Sequence, residues 1–163
     1  MRKVIGLLEK YILAALVSMV PLVELRGGVP IALGMDLPFW PSLLVCAGAN
    51  MLPVPIIYFF ARKVLQWGSG RKYIGRICTA FLEKGDSAGR KLTAKAGKGG
   101  LFVALMLFVG VPIPGTGAWT GTLAASFLNM GMRSTAVSVS LGVAMAAMIM
   151  GIASTGVFSI FGI

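Results

Sequence analysis

Residues 111–125 read VPIPGTGAWTGTLAA and lie inside 34 consecutive uncharged residues between Lys98 and Arg133. That run exceeds the ~20 residues needed to cross about 30 Å of hydrocarbon. Pro112 and Pro114 cannot sit in a regular helix without losing backbone hydrogen bonds, and Gly115 and Gly117 add freedom that helices disfavour. A helix entering at Leu101 is therefore expected to stop near Val111, inside the apolar run. Irregular backbone at membrane depth is tolerated only where protein buries it or a water-filled cavity receives it.

The same order of parts occurs earlier in the chain. ELRGGVP (24–30) interrupts an apolar stretch that starts at Tyr11, and the 13 residues Tyr11–Val23 are too few to span alone. IALGMDLP follows, and then 25 uncharged residues between Asp36 and Arg62; after the second break come AWTGTLAASFLNM and 30 uncharged residues from Ser134 to Ile163. Half-helix, break, return segment and full helix are thus written twice. The expectation is an all-α polytopic integral membrane protein made of two inverted repeats, each a re-entrant helical hairpin plus a full transmembrane helix. The first repeat is 1–61 (hairpin 11–38, span 41–61) and the second is 100–163 (hairpin 100–130, span 134–157). Between them a basic loop, 62–99, carries an amphipathic helix at 72–84, with Ile74, Ile77, Cys78, Phe81 and Leu82 on one face. GDSAGRKLTAKAGKGG (85–100) reads as a flexible linker. Four plain, kinked spans remain the alternative, with both termini cytoplasmic rather than outside.

Composition supports a lipid solvent. Of 163 residues 57% are hydrophobic and 22 are glycine, about 70% together against 45–50% in soluble domains. Ten of the fifteen basic residues fall between Arg62 and Lys98, opposed by Glu83 and Asp86 alone, so this loop carries +8 of the net +10. Lys and Arg beside spans mark the cytoplasmic side, and no aromatic-interleaved basic motif accompanies them, so nucleic acid is not expected as a partner. The N-terminal apolar run has no clear cleavage site and is expected to stay in the mature protein.

The chain has no histidine, which removes imidazole ligands, proton relays and Ser-His or Cys-His nucleophile pairs. Cys46 falls in a span and Cys78 in the basic loop, so no disulfide joins them. GDSAGRK (85–91) lacks the P-loop spacing and its Ser/Thr. No metal site and no cofactor are expected, and with few carboxylates a hydrolytic enzyme is hard to assemble.

Glu24 and Arg26 are the main site candidates, because intramembrane ionisable residues are costly and default to function. Two apart on a helix they would not face each other, so either the backbone is extended or each has its own partner. Gly27, Gly28, Pro30, Asn50, Pro112, Pro114, Gly115, Thr116, Gly117, Trp119 and Thr120 are expected to line the cavity where the breaks meet. Thr116 and Thr120 are N-cap candidates for a returning half-helix whose free N–H groups attract anions. Asn50 reads as interhelical glue. Arg71, Lys72 and Arg76 are expected at lipid headgroups. The Gly117–Gly121 pair and the ridge Ser138, Gly142, Ala146 suit close helix packing or a homodimer.

ELRGGVPIA (24–32) with VPIPGTGAWTGTLAA (111–125) resembles the small multidrug export protein family of prokaryotic membranes, over essentially the whole chain. That family is similar in plan to the DedA-like, VTT-domain proteins, which move lipids and polyprenyl phosphates and hold acidic and arginine residues on two re-entrant hairpins. DedA-like proteins carry arginines near the second hairpin's proline motif, whereas Leu101–Met132 here holds no charge. The resemblance implies an inner-membrane transporter of an amphipathic organic substrate or lipid, with Glu24 and Arg26 as the acidic and basic members of the first hairpin and Glu24 available to couple protons. A structural or accessory membrane subunit is the alternative.

Overall fold

The computed structural model describes residues 2–21, 23–71, 75–113 and 115–161. Its helices run in the order α1 (Arg2–Met19), α2 (Glu24–Gly34), α3 (Phe39–Met51), α4 (Pro53–Ser69), α5 (Gly75–Gly110), α6 (Ala118–Phe127) and α7 (Met132–Phe161), and no strand occurs among the described residues. Three stretches are long and apolar enough to cross a membrane: Phe39–Ser69, Asp86–Gly110 and Met132–Ile160. The first contains α3 and α4, joined through Leu52 with helical φ −59° and ψ −42°. The expected span 41–61 is thus part of a longer one, because a proline at the first turn of α4 needs no amide donor there.

The short helices α2 and α6, of 11 and 10 residues, reach about 16 and 15 Å at 1.5 Å per residue, half of what a crossing needs. Both end in the same way. Asp36 (φ 61°) and Asn129 (φ 56°) adopt the left-handed conformation, in which a short polar side chain is better tolerated than most. Around Asp36, its own N–H donates to the Leu33 carbonyl and Leu37 N–H to the Ala32 carbonyl; around Asn129 the pairs are Asn129 to Ser126 and Met130 to Ala125. This is the Schellman pattern, with the following apolar residue, Leu37 or Met130, buried. Each turn is followed at once by a long helix, at Phe39 and at Met132. Positions 36 and 129, 37 and 130, and 39 and 132 are each 93 apart, so the two turns are built alike at one register.

Packing follows the same scheme. α2 lies against α1 and α7, while α6 lies against α5 and α4. Gly28 and Gly121, again 93 apart, both sit where a side chain would collide with the preceding helix: a Cβ would come 1.9 Å from Ser18 Oγ and 2.6 Å from Val109 Cγ2, respectively. Ser126 Oγ donates to the Tyr58 carbonyl at 2.9 Å and the Tyr58 hydroxyl donates to the Met130 carbonyl, tying α6 and its turn to α4. The core joins Leu25, Val29, Cys46, Val109, Val139 and Val143. Apolar residues also face outward, among them Leu44 at 73% and Ile56 at 70% exposure, as expected where lipid is the solvent.

One expectation is corrected here. Residues 85–96, read as a flexible linker, continue α5, whose helical path breaks only at Gly97 (φ 70°, ψ 172°). Glycine in a helix costs only about 1 kcal/mol relative to alanine, and contact outweighs it: a Cβ on Gly89 would lie 2.1 Å from the Leu128 carbonyl oxygen. Of the two readings of the small-residue ridge, close helix packing within the chain is the one that Ser138 and Gly142 show. Ser138 Oγ donates to the Phe102 carbonyl at 2.6 Å, and a Cβ on Gly142 would lie 2.7 Å from the Met106 carbonyl. The amphipathic face expected at 72–84 rests on side chains that lie outside the described residues.

Candidate functional site

Where α5 ends at Gly110, residues 111–113 and 115–117 are non-helical before α6 begins. Such a break leaves carbonyls at the end of one helix and amides at the start of the next without partners. Glu24 and Arg26, from the other break, supply both. Glu24 Oε1 accepts from Trp119 N–H at 3.0 Å and Oε2 from Ala118 N–H at 3.2 Å. The Arg26 guanidinium donates to the Ile113 carbonyl, to the Val111 carbonyl at 3.2 Å and to Thr116 Oγ1 at 2.9 Å. An anionic group thus sits at a helix N-terminus and a cationic one at a helix C-terminus, the favourable sense of the helix dipole at each end.

Local backbone makes the arrangement possible. Glu24 has φ 52°, a conformation uncommon outside glycine that surrounding contacts must hold. It is 5% exposed, and its buried carboxylate is compensated by the two amides. Gly117 opposite has φ 161°, extended backbone that any residue adopts. Its requirement is space, since a Cβ there would lie 2.2 Å from Glu24 Oε2. Gly115 does need glycine's freedom, at φ 84°.

A cavity of about 200 Å³ opens beside this junction, lined by Pro21, Glu24, Gly115, Thr116, Trp119, Thr120 and Leu123. Of the expected lining, Glu24, Gly115, Thr116, Trp119 and Thr120 are brought together, and Gly117 lies directly behind the carboxylate. Pro114 lies outside the described residues. Pro112 is half-buried and does not line the cavity, nor does Gly27, whose neighbour is Val23. Gly28 is filled from behind by α1, and Pro30 faces a separate apolar cavity against Met150, Ser154 and Phe158 of α7. Six positions on from Glu24, Pro30 is turned about 240° around α2 and so faces away from the cavity, whereas Gly28 is kept from it by its contact with α1.

The N-cap expectation is corrected as well. Neither Thr116 nor Thr120 caps α6; Gly117 holds the cap position without a side-chain bond. Thr116 Oγ1 donates back to the Ile113 and Val111 carbonyls, while Glu24 takes the amides. The expected anion site is therefore filled by the chain's own carboxylate, which a short hydroxyl cannot match in charge. Asn50 does not line the cavity; it is fully buried, and neither Oδ1 nor Nδ2 has a hydrogen-bond partner among the described residues. The Trp119 Nε1–H is likewise buried without a partner.

Away from this site, the Arg71 guanidinium lies 4.4 Å above the Trp67 ring, a cation–π contact on an exposed surface. Arg76 is exposed near the start of α5. Lys72 lies outside the described residues. The tyrosine and serine pair that ties α6 to α4 was missed from sequence, having no periodic or breaker signal of its own.

The junction of 24–26 with 111–119 falls within the match to a family model described as "Putative small multi-drug export protein", which covers residues 24–149. The chain belongs to that family. No curated protein and no solved structure matches it. The family match starts at Glu24 and includes both motifs of the junction, and its description together with the three apolar helices makes this small multi-drug export family member a membrane protein. A DedA likeness is no part of that match.

Proposed function

We propose that this protein is a transporter rather than an enzyme, that its two halves are inverted repeats with re-entrant hairpins, and that it moves an amphipathic organic cation through the cavity at the two breaks. The observation that carries the reading is the position of Glu24, whose carboxylate both closes the N-terminus of α6 and walls the cavity beside Trp119. A cation or proton arriving there competes with two amides for the same two oxygens. Occupancy is thereby coupled to how firmly α6 is held, which is the differential interaction that a two-state transporter requires. An aromatic face and apolar Leu123 complement an organic cation. The anion expected from sequence has lost its donors, since the α6 amides and the Arg26 guanidinium are engaged within the chain.

Hairpin geometry supports the inverted arrangement. Lys10 Nζ donates to the Met35 carbonyl at 2.7 Å, so α2 returns to a level midway along α1. Lys98 shares a cavity with residues 129–134, so α6 returns alongside α5. In this reading Phe39–Ser69 and Met132–Ile160 are the full spans, while Asp86–Gly110, charged as far as Lys98, enters the membrane only as an arm of the second hairpin. The repeats then face opposite ways, and its charge assigns the basic loop 62–98 to the cytoplasm of an inner-membrane protein.

Two measurements test this. In proteoliposomes with an imposed pH gradient, a lipophilic cationic dye is expected to move and an anionic dye of similar size is not; movement of the anion alone would reverse the assignment, and movement of neither would favour an accessory subunit. In a cysteine-free background, Pro38→Cys and Gly131→Cys, which occupy corresponding turns 93 positions apart, are expected to react with an impermeant thiol reagent from opposite sides of the membrane. Labelling from one common side would establish four plain spans instead.

A further inference from the structure

A second region, on the far side of α6 from its N-terminus, is not used by the reading above. Between α5 and α6 runs an apolar groove of about 240 Å³, walled by Leu92, Ala96, Ala104, Phe108 and Ala124. Beside the turn from α6 to α7 lies a polar cavity of about 370 Å³, walled by Thr93, Lys98, Asn129, Arg133 and Ser134. Leu101, Leu128 and Met130 line both, so the groove leads into the basic cavity. Of the chain's five acidic residues, none lines either space; Asp86 faces an adjoining cavity with Arg90. The kink at Gly97 stands immediately before Lys98.

We infer that this joined space holds one anionic glycerophospholipid, with its phosphate between Lys98 and Arg133 and a segment of acyl chain in the groove toward Phe108. Size favours a chain segment, because the groove is below the roughly 300–1,000 Å³ of sites that enclose a whole small molecule. Charge favours an anion, since Lys98 and Arg133 both line the cavity and no carboxylate does. Position favours lipid over a soluble phosphate. Both walls belong to stretches apolar enough to cross a membrane, Asp86–Gly110 and Met132–Ile160, and the apolar groove has no use for a free ion. On each side of the break at Gly97 the groove's α5 residues recur four apart, at 92 and 96 and at 100, 104 and 108, a spacing that keeps each set on one face of its helical segment.

The test uses the full-length protein extracted from vesicles of equimolar phosphatidylglycerol and phosphatidylcholine, with retained lipid counted by native mass spectrometry. The wild type is expected to retain phosphatidylglycerol preferentially. Lys98→Gln with Arg133→Gln, both exposed side chains, is expected to lower that preference about tenfold. Lys91→Gln with Lys95→Gln removes equal charge from the same helix outside the cavity and is expected to change it little. Ala104→Phe, which fills the groove, is expected to lower retention of phosphatidylglycerol with both cations intact. Equal retention of the two lipids by the wild type, an equal loss in the Lys91 and Lys95 control, an unaffected Ala104→Phe, or displacement of the lipid by excess inorganic phosphate would each overturn the assignment.

Discussion

Glu24→Gln is expected to leave the protein inserted and folded while abolishing the dependence of substrate movement on a pH gradient. The substitution keeps length and one carbonyl oxygen, so one of the two α6 amides, Ala118 or Trp119, retains its acceptor. The second then meets an amide NH₂, a donor against a donor. Charge is lost at the helix N-terminus as well. The combined stability cost is about 1–2 kcal/mol, small enough for folding to survive. Coupling does not survive, because the chain has no histidine and no other carboxylate lines the cavity. Uptake of a cationic dye into proteoliposomes, measured with and without the gradient, checks this. Wild-type gradient dependence in Glu24→Gln would make Glu24 a structural cap only.

Arg26→Ala is expected to act on folding instead of coupling. The guanidinium serves the Val111 and Ile113 carbonyls and Thr116 Oγ1 together. The Val111 carbonyl keeps the Ile113 N–H and the Ile113 carbonyl the Thr116 N–H, so the loss is that of the charged hydrogen bonds, about 1.5–3 kcal/mol. Arg26→Lys should recover only part of it, because an ammonium is a compact charge that cannot fork across separated acceptors. Thermal unfolding in detergent compares the three proteins. Equal midpoints for wild type and Arg26→Ala would mean that the clamp contributes nothing to stability, and the break would then owe its shape to packing alone.

The two variants separate because the charges, two residues apart, serve opposite ends of one break. Sequence spacing had already excluded their facing each other on a helix, but it could not say which partner each would find. Both partners lie more than 80 positions away in the chain. Backbone amides and carbonyls carry no residue-type signal either, so the acceptors of Arg26 and the donors to Glu24 were invisible in composition and motif.

What the sequence determined by itself was the solvent and the punctuation. Uncharged runs of 25, 34 and 30 residues demand lipid, since charge is costly there. The prolines and glycines of PIPGTG stop α5 at Gly110, one residue before the expected Val111, because a missing N–H and a free φ act locally whatever surrounds them. The structure decided the matters that depend on what packs against what. Residues 85–96 are helical, although their glycines read as breakers, because Gly89 admits the Leu128 carbonyl. The N-terminus of α6 is filled because a buried carboxylate and unpaired amides each cost free energy alone and offset one another when they meet. Nothing in the order of residues announces that meeting; it follows from a fold that brings position 24 against position 117.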